Sequence, residues 1–166
     1  VASVMEGVRP LLIEVQALVS TAAYGTPQRS VNGYDAKRLN MLLAVLEKRL
    51  GVKMYTKDVF VNIAGGIKVQ DTAIDLAVVA AILSSLFDVY IPASYCFAGE
   101  IGLTGEVRMV GHLEKRIKEC SKLGIQQMFI PKHDVHVQSK HTNIVHCTRI
   151  DTTFRALFKP DSKVNE

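Results

Sequence analysis

The stretch Phe97–Gly111, FAGEIGLTGEVRMVG, decides the fold. Two short apolar runs, Tyr95–Ile101 and Val107–Val110, flank Gly102-Leu103-Thr104-Gly105-Glu106. Apolar runs joined by a short glycine-bearing connection read as the two strands of a hairpin. A helical period starts directly after Gly111: Leu113, Ile117 and Cys120 recur at spacings of four and three, which places them on one face.

Upstream of this stretch, Ala73–Leu86 is apolar nearly all round, with Asp71 or Thr72 as its cap. A helix of that kind lies inside a fold. Val59–Ala64 is a strand, followed by Gly65-Gly66 and Lys68 in a connection. Asp35 is an N-cap for a helix over Ala36–Leu50, Gly51 ends it, and Leu39, Leu42, Leu43, Leu46 and Leu50 form its apolar face. Leu11–Val19 interleaves apolar residues with Glu14 and Gln16, a half-buried strand, and Arg29–Asn32 returns as a second after the break at Tyr24-Gly25-Thr26-Pro27.

Downstream, the spacing predicts a helix over Leu113–Leu123 closed by Gly124, strands at Met128–Ile130 and Asn143–Thr148, and a last helical turn or two over Thr152–Phe158. One α+β domain is expected over residues 10–158, with residues 1–9 as a lead-in and residues 159–166 as a polar, mobile tail.

The 166 residues are 48% hydrophobic and 22% charged, with net charge +4. A chain near ~150 residues buries roughly two-thirds of its unfolded surface, enough for a real core. No run approaches the ~18 apolar residues of a membrane span, and no basic segment leads into an apolar one at the start. The absence of an initiator Met and the start in mid-pattern point to a piece of a longer protein. Cys96, Cys120 and Cys147 cannot all pair and read as reduced, buried thiols of a cytoplasmic protein. The mild basicity, pI about 9.0, is compatible with nucleic acid without requiring it.

Basic residues are the better functional lead. Lys37 and Arg38 recur eleven residues on as Lys48 and Arg49, about three helical turns, so the two pairs stack along one face roughly opposite the leucines. Lys115, Lys118 and Lys122 recur at three and four opposite Leu113 and Ile117, with Arg116 and Arg108 adding charge nearby and Arg29 in the loop-to-strand segment. Lysines on the outer face of an amphipathic helix are often only solvated, so contact with phosphate needs further support. His133, His136, His141 and His146, with Cys147, gather late in the chain, but no C-x-x-C or H-E-x-x-H frame anchors a metal site. The phosphate-binding pattern G-x-x-x-x-G-K-[ST] is absent, so ATP hydrolysis is not expected of this chain.

The motif GE-I-x-L-x-G-x-V, followed by G-x-L and a helix, resembles the proteolytic domain of Lon-type peptidases. The family's catalytic serine falls on Ala73 and its catalytic lysine on Glu114. A serine–lysine peptidase needs a hydroxyl and a neutral amine to take its proton, and these positions supply neither. Lys115 follows Glu114, but one helical step rotates a side chain by about 100° away. Ser84 and Ser85 lie deeper along the buried helix, bonded to preceding carbonyls.

The loss of both groups, with DTAIDLAVVAAILSS, FAGEIGLTGEVRMVGHLEKRIKECSKLGI and IPK in order, resembles the carboxy-terminal Lon-like domain of the RadA/Sms family of bacterial DNA-repair ATPases. The resemblance implies the Lon-protease variant of the GHMP-kinase and ribosomal-protein second-domain fold. It also implies DNA (single-stranded, duplex or branched) as partner, through Arg29, Lys37, Arg38, Arg108, Lys115 and Arg116. Assembly into a homo-hexamer with an ATPase domain upstream in cis follows from the same likeness. ATP, magnesium and zinc would belong to that upstream part, and no cofactor or metal to this chain. Two alternatives stay open: an oligomerisation module without DNA contact, and a peptidase with a displaced base. Asp75, four residues after Asp71, is expected to accept backbone N–H bonds near Gly65-Gly66, or to line a degenerate cleft or a subunit contact.

Overall fold

A computed structural model describes residues 1–133, 139 and 141–158. The helix over Ala36–Leu50 (α1) forms as its sequence predicts: the Asp35 carboxylate accepts from the Arg38 amide, and Gly51 closes the last turn at φ 71°, where a side chain would be strained. Its buried residues are Leu39, Leu42, Leu43, Val45 and Leu46. The all-apolar helix begins with a 3-10 turn at Thr72–Ile74 and continues as α2, Asp75–Phe87. Every residue from Asp75 to Ala80 is buried, together with Ile82 and Leu83, because α2 packs under the sheets on more than one side.

The first nine residues are no lead-in. Ala2–Glu6 (β1) is an inner strand and Arg9–Ile13 (β2) its antiparallel partner. The apolar run expected as one strand over Leu11–Val19 divides at Glu14, and Val15–Thr21 (β3) enters a different sheet. There β3 runs antiparallel to Lys57–Ile63 (β5), and Arg29–Asn32 (β4) runs parallel to β5 on its other side.

Tyr95–Phe97 (β6) pairs in parallel with β1 and with Gln127–Pro131 (β9), and Asn143–Cys147 (β10) pairs in parallel with β9. The larger sheet therefore has the order β10-β9-β6-β1-β2 and the smaller β3-β5-β4. The hairpin is real but shorter than its apolar runs: only Glu100–Ile101 (β7) and Val107–Arg108 (β8) pair. The chain leaves the large sheet at Ala98-Gly99, where a side chain on Gly99 would meet Val107 at 2.8 Å and Leu76 at 3.3 Å. Gly99 instead exchanges backbone bonds with the start of α2, donating to the Ala73 carbonyl (2.8 Å) and accepting from the Leu76 amide (3.1 Å).

Leu113–Lys122 (α3) lays Leu113, Ile117 and Cys120 over the large sheet against Cys96, Met128 and Ile130. Ile150–Leu157 (α4) closes the fold beside α1, with Ile150 and Phe154 buried. The architecture is a mixed α/β domain with parallel and antiparallel pairing and four α-helices among the described residues. The expected tail over residues 159–166 lies outside the described residues. No helix among them is long and apolar enough to cross a membrane.

Candidate functional site

Ala73 and Glu114, the positions on which the resemblance to Lon-type peptidases puts its dyad, sit in opposite environments. Ala73 is fully buried in the 3-10 turn that opens α2. Glu114 is exposed in the first turn of α3, beside a shallow groove of about 390 Å³ that Met109, His112, Lys115 and His133 also line. Two carboxylate–arginine pairs flank Ala73, one at Asp71 and one at Asp75.

The first pair is Asp71 with Arg116. Asp71 caps the turn, its Oδ1 accepting from the Ala73 amide at 3.0 Å. Its Oδ2 accepts from the Met5 amide and from Arg116 Nη2, both at 2.7 Å. Arg116 also donates through Nε to the Gly111 carbonyl (2.8 Å) and through Nη1 to the Ser3 carbonyl (2.6 Å). One guanidinium thus ties α3, β1 and the start of α2 together. Arg116 is 1% exposed, which corrects its expected place in an outward basic stripe. The reason is periodic: it lies three residues after Leu113 and four before Cys120, on the apolar face.

The second pair is Asp75 with Arg38. Asp75 is fully buried, and its Oδ1 accepts from the Tyr34 hydroxyl at 2.7 Å and from Arg38 Nε at 2.8 Å. Its Oδ2 accepts from the Ile101 amide at 3.1 Å and from Arg38 Nη2. The hydrogen bond to Asp75 holds the Arg38 guanidinium above its ordinary pKa. Burial, with the neighbouring Asp75 charge, pushes the Tyr34 phenol up, so the hydroxyl stays a donor. The partners expected for Asp75 near Gly65-Gly66 are therefore corrected: the first turn of α2 faces α1 and the hairpin.

Glu100, the acid of the GE motif, joins this second pair to the surface. Its Oε2 accepts from the Thr72 hydroxyl at 2.6 Å, and its Oε1 lies 3.9 Å from both Arg38 Nη2 and Arg108 Nη1. Tyr34 and the Ser3 carbonyl were not signalled by any motif, and the GE motif marked Glu100 for the fold but not for this contact. Only the buried position of Arg116 could have been read in advance, from its helical spacing.

Of the other basic residues, Lys37, Lys115 and Arg108 are exposed, as are Lys48, Lys118 and Lys122. Arg29 is half-buried and donates to the Lys57 carbonyl and, at 2.9 Å, to the Met54 carbonyl. Ser84 and Ser85 also differ from expectation: Ser84 donates forward to the Val89 carbonyl (2.6 Å), and Ser85 accepts from the Val19 amide of β3 (2.9 Å).

Among the described residues no three His, Cys, Asp or Glu converge on a point where a metal ion could sit. His133 and His146 meet edge to face at 5.1 Å, while His136 lies outside the described residues. Cys96 and Cys120, distant in sequence, bring their sulfurs to 3.5 Å under α3, and the Cys96 thiol is pushed up by that hydrogen bond and by burial.

Relatives of this chain carry the name DNA repair protein RadA. The protein of Bacillus subtilis is 49% identical over 127 residues, covering 76% of this chain and 28% of its own length. That of Chlamydia trachomatis is 49% identical over 128 residues, 77% of this chain and 28% of its own. That of Streptococcus pneumoniae is 41% identical over 156 residues, 93% of this chain and 37% of its own. The chain thus spans well under half the length of the curated relatives it matches. Residues 14–134 match a family model across all but the first two strands and the last strand and helix, and the chain belongs to the family described as subunit ChlI of Mg-chelatase.

Proposed function

We propose that this chain is the non-proteolytic, Lon-like domain of a RadA-type DNA repair protein, contributing DNA contacts and subunit contacts within a hexameric ring. The observation that carries this is the start of α2. A buried methyl group, Ala73, lies there between two arginine–carboxylate pairs, and the other dyad position, Glu114, is an exposed acid. Such a site can hold elements together and cannot form an acyl-enzyme. The relatives named DNA repair protein RadA support the repair role. ATP, magnesium and zinc belong, in this proposal, to other parts of a longer cytoplasmic ATPase that processes branched intermediates.

DNA meets the chain through the outward cations Lys37, Arg108 and Lys115, with Lys118 and Lys122 on the same helix as Lys115. Arg29 and Arg38 add to the local field while their donors are spent inside the fold. Contacts go to phosphates, and sequence preference is slight. The test is duplex binding by fluorescence anisotropy over a salt series. Binding at low salt is expected, with log K falling by about 0.9 for each phosphate neutralised per unit of log salt. No binding at low salt, or binding indifferent to salt, overturns the DNA role and leaves an assembly module, for which light scattering over a concentration series is the readout. Incubation with unfolded casein or fluorogenic peptides should give no turnover, either by the chain or by Ala73→Ser, and turnover by the unmodified chain contradicts the proposal.

A further inference from the structure

We propose that Cys96 and Cys120 are a modification site, at which a hydroperoxide oxidises the two thiols to an intramolecular disulfide that locks α3 onto the large sheet. The inference is independent of any DNA contact. Cys96 lies in the middle of β6 and Cys120 in the last turn of α3, 24 positions away. Both are fully buried, and their sulfurs touch at 3.5 Å, with the Cys120 thiol donating to Cys96. A disulfide holds its sulfurs at about 2.05 Å, so about 1.5 Å of approach completes the bond. Arg116, four residues earlier, already ties α3 to Asp71, and the disulfide would fasten the other end of the helix.

The third cysteine does not compete. Cys147 belongs to the larger core, and its thiol donates to the Val145 carbonyl at 3.7 Å. Cys96 and Cys120 sit in a separate, smaller cluster between α3 and the large sheet. Its cover is thin. Val1, Leu12, Val110 and Ile144 at its margin are only partly buried, and α3 ends two residues after Cys120, with Leu123 56% exposed just beyond. Helix ends open locally at little cost, and opening of that turn brings Cys120 within reach of a molecule little larger than water. A metal does not fit the pair. Structural zinc takes four ligands, and among the described residues no third His, Cys, Asp or Glu converges with these thiols.

In the opened turn Cys120 meets hydrogen peroxide as its thiolate. The sulfur attacks one oxygen, an S–O bond forms, the O–O bond breaks, and the departing hydroxide takes up the thiol's proton as water. When the turn closes, the Cys96 thiolate attacks the sulfenic sulfur of Cys120. The S–S bond forms, the S–O bond breaks, and a second water leaves with the second thiol's proton. Two thiols and one peroxide thus give one disulfide and two waters, the peroxide taking both electrons. A small dithiol reverses the bond by exchange. The hydrogen bond between the thiols, with burial, holds the Cys96 thiol above its ordinary pKa, so thiolate is scarce at neutral pH and oxidation quickens as the pH rises. In a reducing compartment the thiol pair is the resting form, and the disulfide is the response to peroxide.

The experiment exposes the folded chain to hydrogen peroxide at about pH 7 and about pH 8.5, removes the oxidant with catalase, and unfolds the product in N-ethylmaleimide. Intact mass and tryptic peptides are the readout. The reduced chain carries three maleimides, one on each free cysteine; the oxidised chain should carry one, with Cys96 and Cys120 in linked peptides. Dithiothreitol should restore all three, and the cross-link should form faster at the higher pH. The oxidised chain should melt roughly 5–15 °C higher, and amide exchange across α3 should slow. Cys147→Ala should leave the bond intact, whereas Cys96→Ala and Cys120→Ala should each remove it. If those two variants do not fold, the linked peptides of the parent decide. Three maleimides after peroxide, or sulfinic acid in place of the cross-link, overturns the proposal. So does a bond to Cys147, a bond between two molecules, or pairing that occurs only in urea. An oxidised chain that melts no higher than the reduced one overturns the lock.

Discussion

Lys115 and Arg116 are neighbours on α3, and the fold puts them to opposite uses. Lys115 stands in solvent, while Arg116 is 1% exposed and bonded to Asp71 and two backbone carbonyls from three elements. On α1 the same contrast separates exposed Lys37 from Arg38, which clasps Asp75. The difference lies in the side chains. A guanidinium offers five donors in a fixed plane and can be fully satisfied inside a protein, whereas a compact ammonium keeps its hydration. Each buried pair cancels its own charge, so the net +4 of the sequence still reaches the surface, and lysines carry much of it there.

Breaking a buried pair should give the largest effect. Arg116→Met leaves the Asp71 carboxylate without its charged partner and should cost about 3–5 kcal/mol in urea denaturation. Lys115→Met, one residue away, should stay within about 0.5 kcal/mol. Equal losses in the two variants would erase the contrast. Tyr34→Phe comes next, since it removes the hydroxyl that donates to Asp75 at 2.7 Å and should cost about 1.5–3 kcal/mol. No loss there would mean that Arg38 and the Ile101 amide satisfy Asp75 by themselves.

The smallest effect belongs to the hairpin turn. The Thr104 hydroxyl donates to Glu106 and holds its carboxyl below the ordinary carboxylate value. A depressed pKa favours the folded state in full above the unfolded value and ceases to do so as the pH falls through the folded one. The urea midpoint of the parent should therefore slightly exceed that of Glu106→Gln at neutral pH, and the gap should close as the pH falls below the ordinary carboxylate range. A gap that widens on acidification would contradict the shift.

Much of the fold was legible where local signals are strong. Asp35 and Gly51 bound α1, and the uniform apolarity of Ala73–Leu86 marked a buried helix. The hairpin after Ala98-Gly99 was legible as a turn but not in its length, because a strand leaving one sheet for a two-residue pairing keeps the same apolar composition. The division at Glu14 carries no glycine or proline, so β2 and β3 read as one strand, and the five residues of β1 are too few for their pattern to stand out. At the site, the sequence shows that Ala73 and Glu114 carry neither a hydroxyl nor an amine. The ion pairs beside Ala73 were not legible, because they join residues far apart: 45 positions separate Arg116 from Asp71 and 37 separate Arg38 from Asp75. Arg116 alone had a local signal, its place on the Leu113–Cys120 face.

The most direct test of arginine within and lysine without is duplex DNA affinity over a salt series for the parent, for Lys115→Gln with Lys118→Gln and Lys122→Gln, and for Arg116→Met. The triple glutamine variant should keep the parent's urea midpoint while its slope of log K against log salt flattens, by about 0.9 for each lysine that had met a phosphate. Arg116→Met, at temperatures where it remains folded, should keep the parent's slope. An unchanged slope in the triple variant, or a flattened one in folded Arg116→Met, would contradict the account.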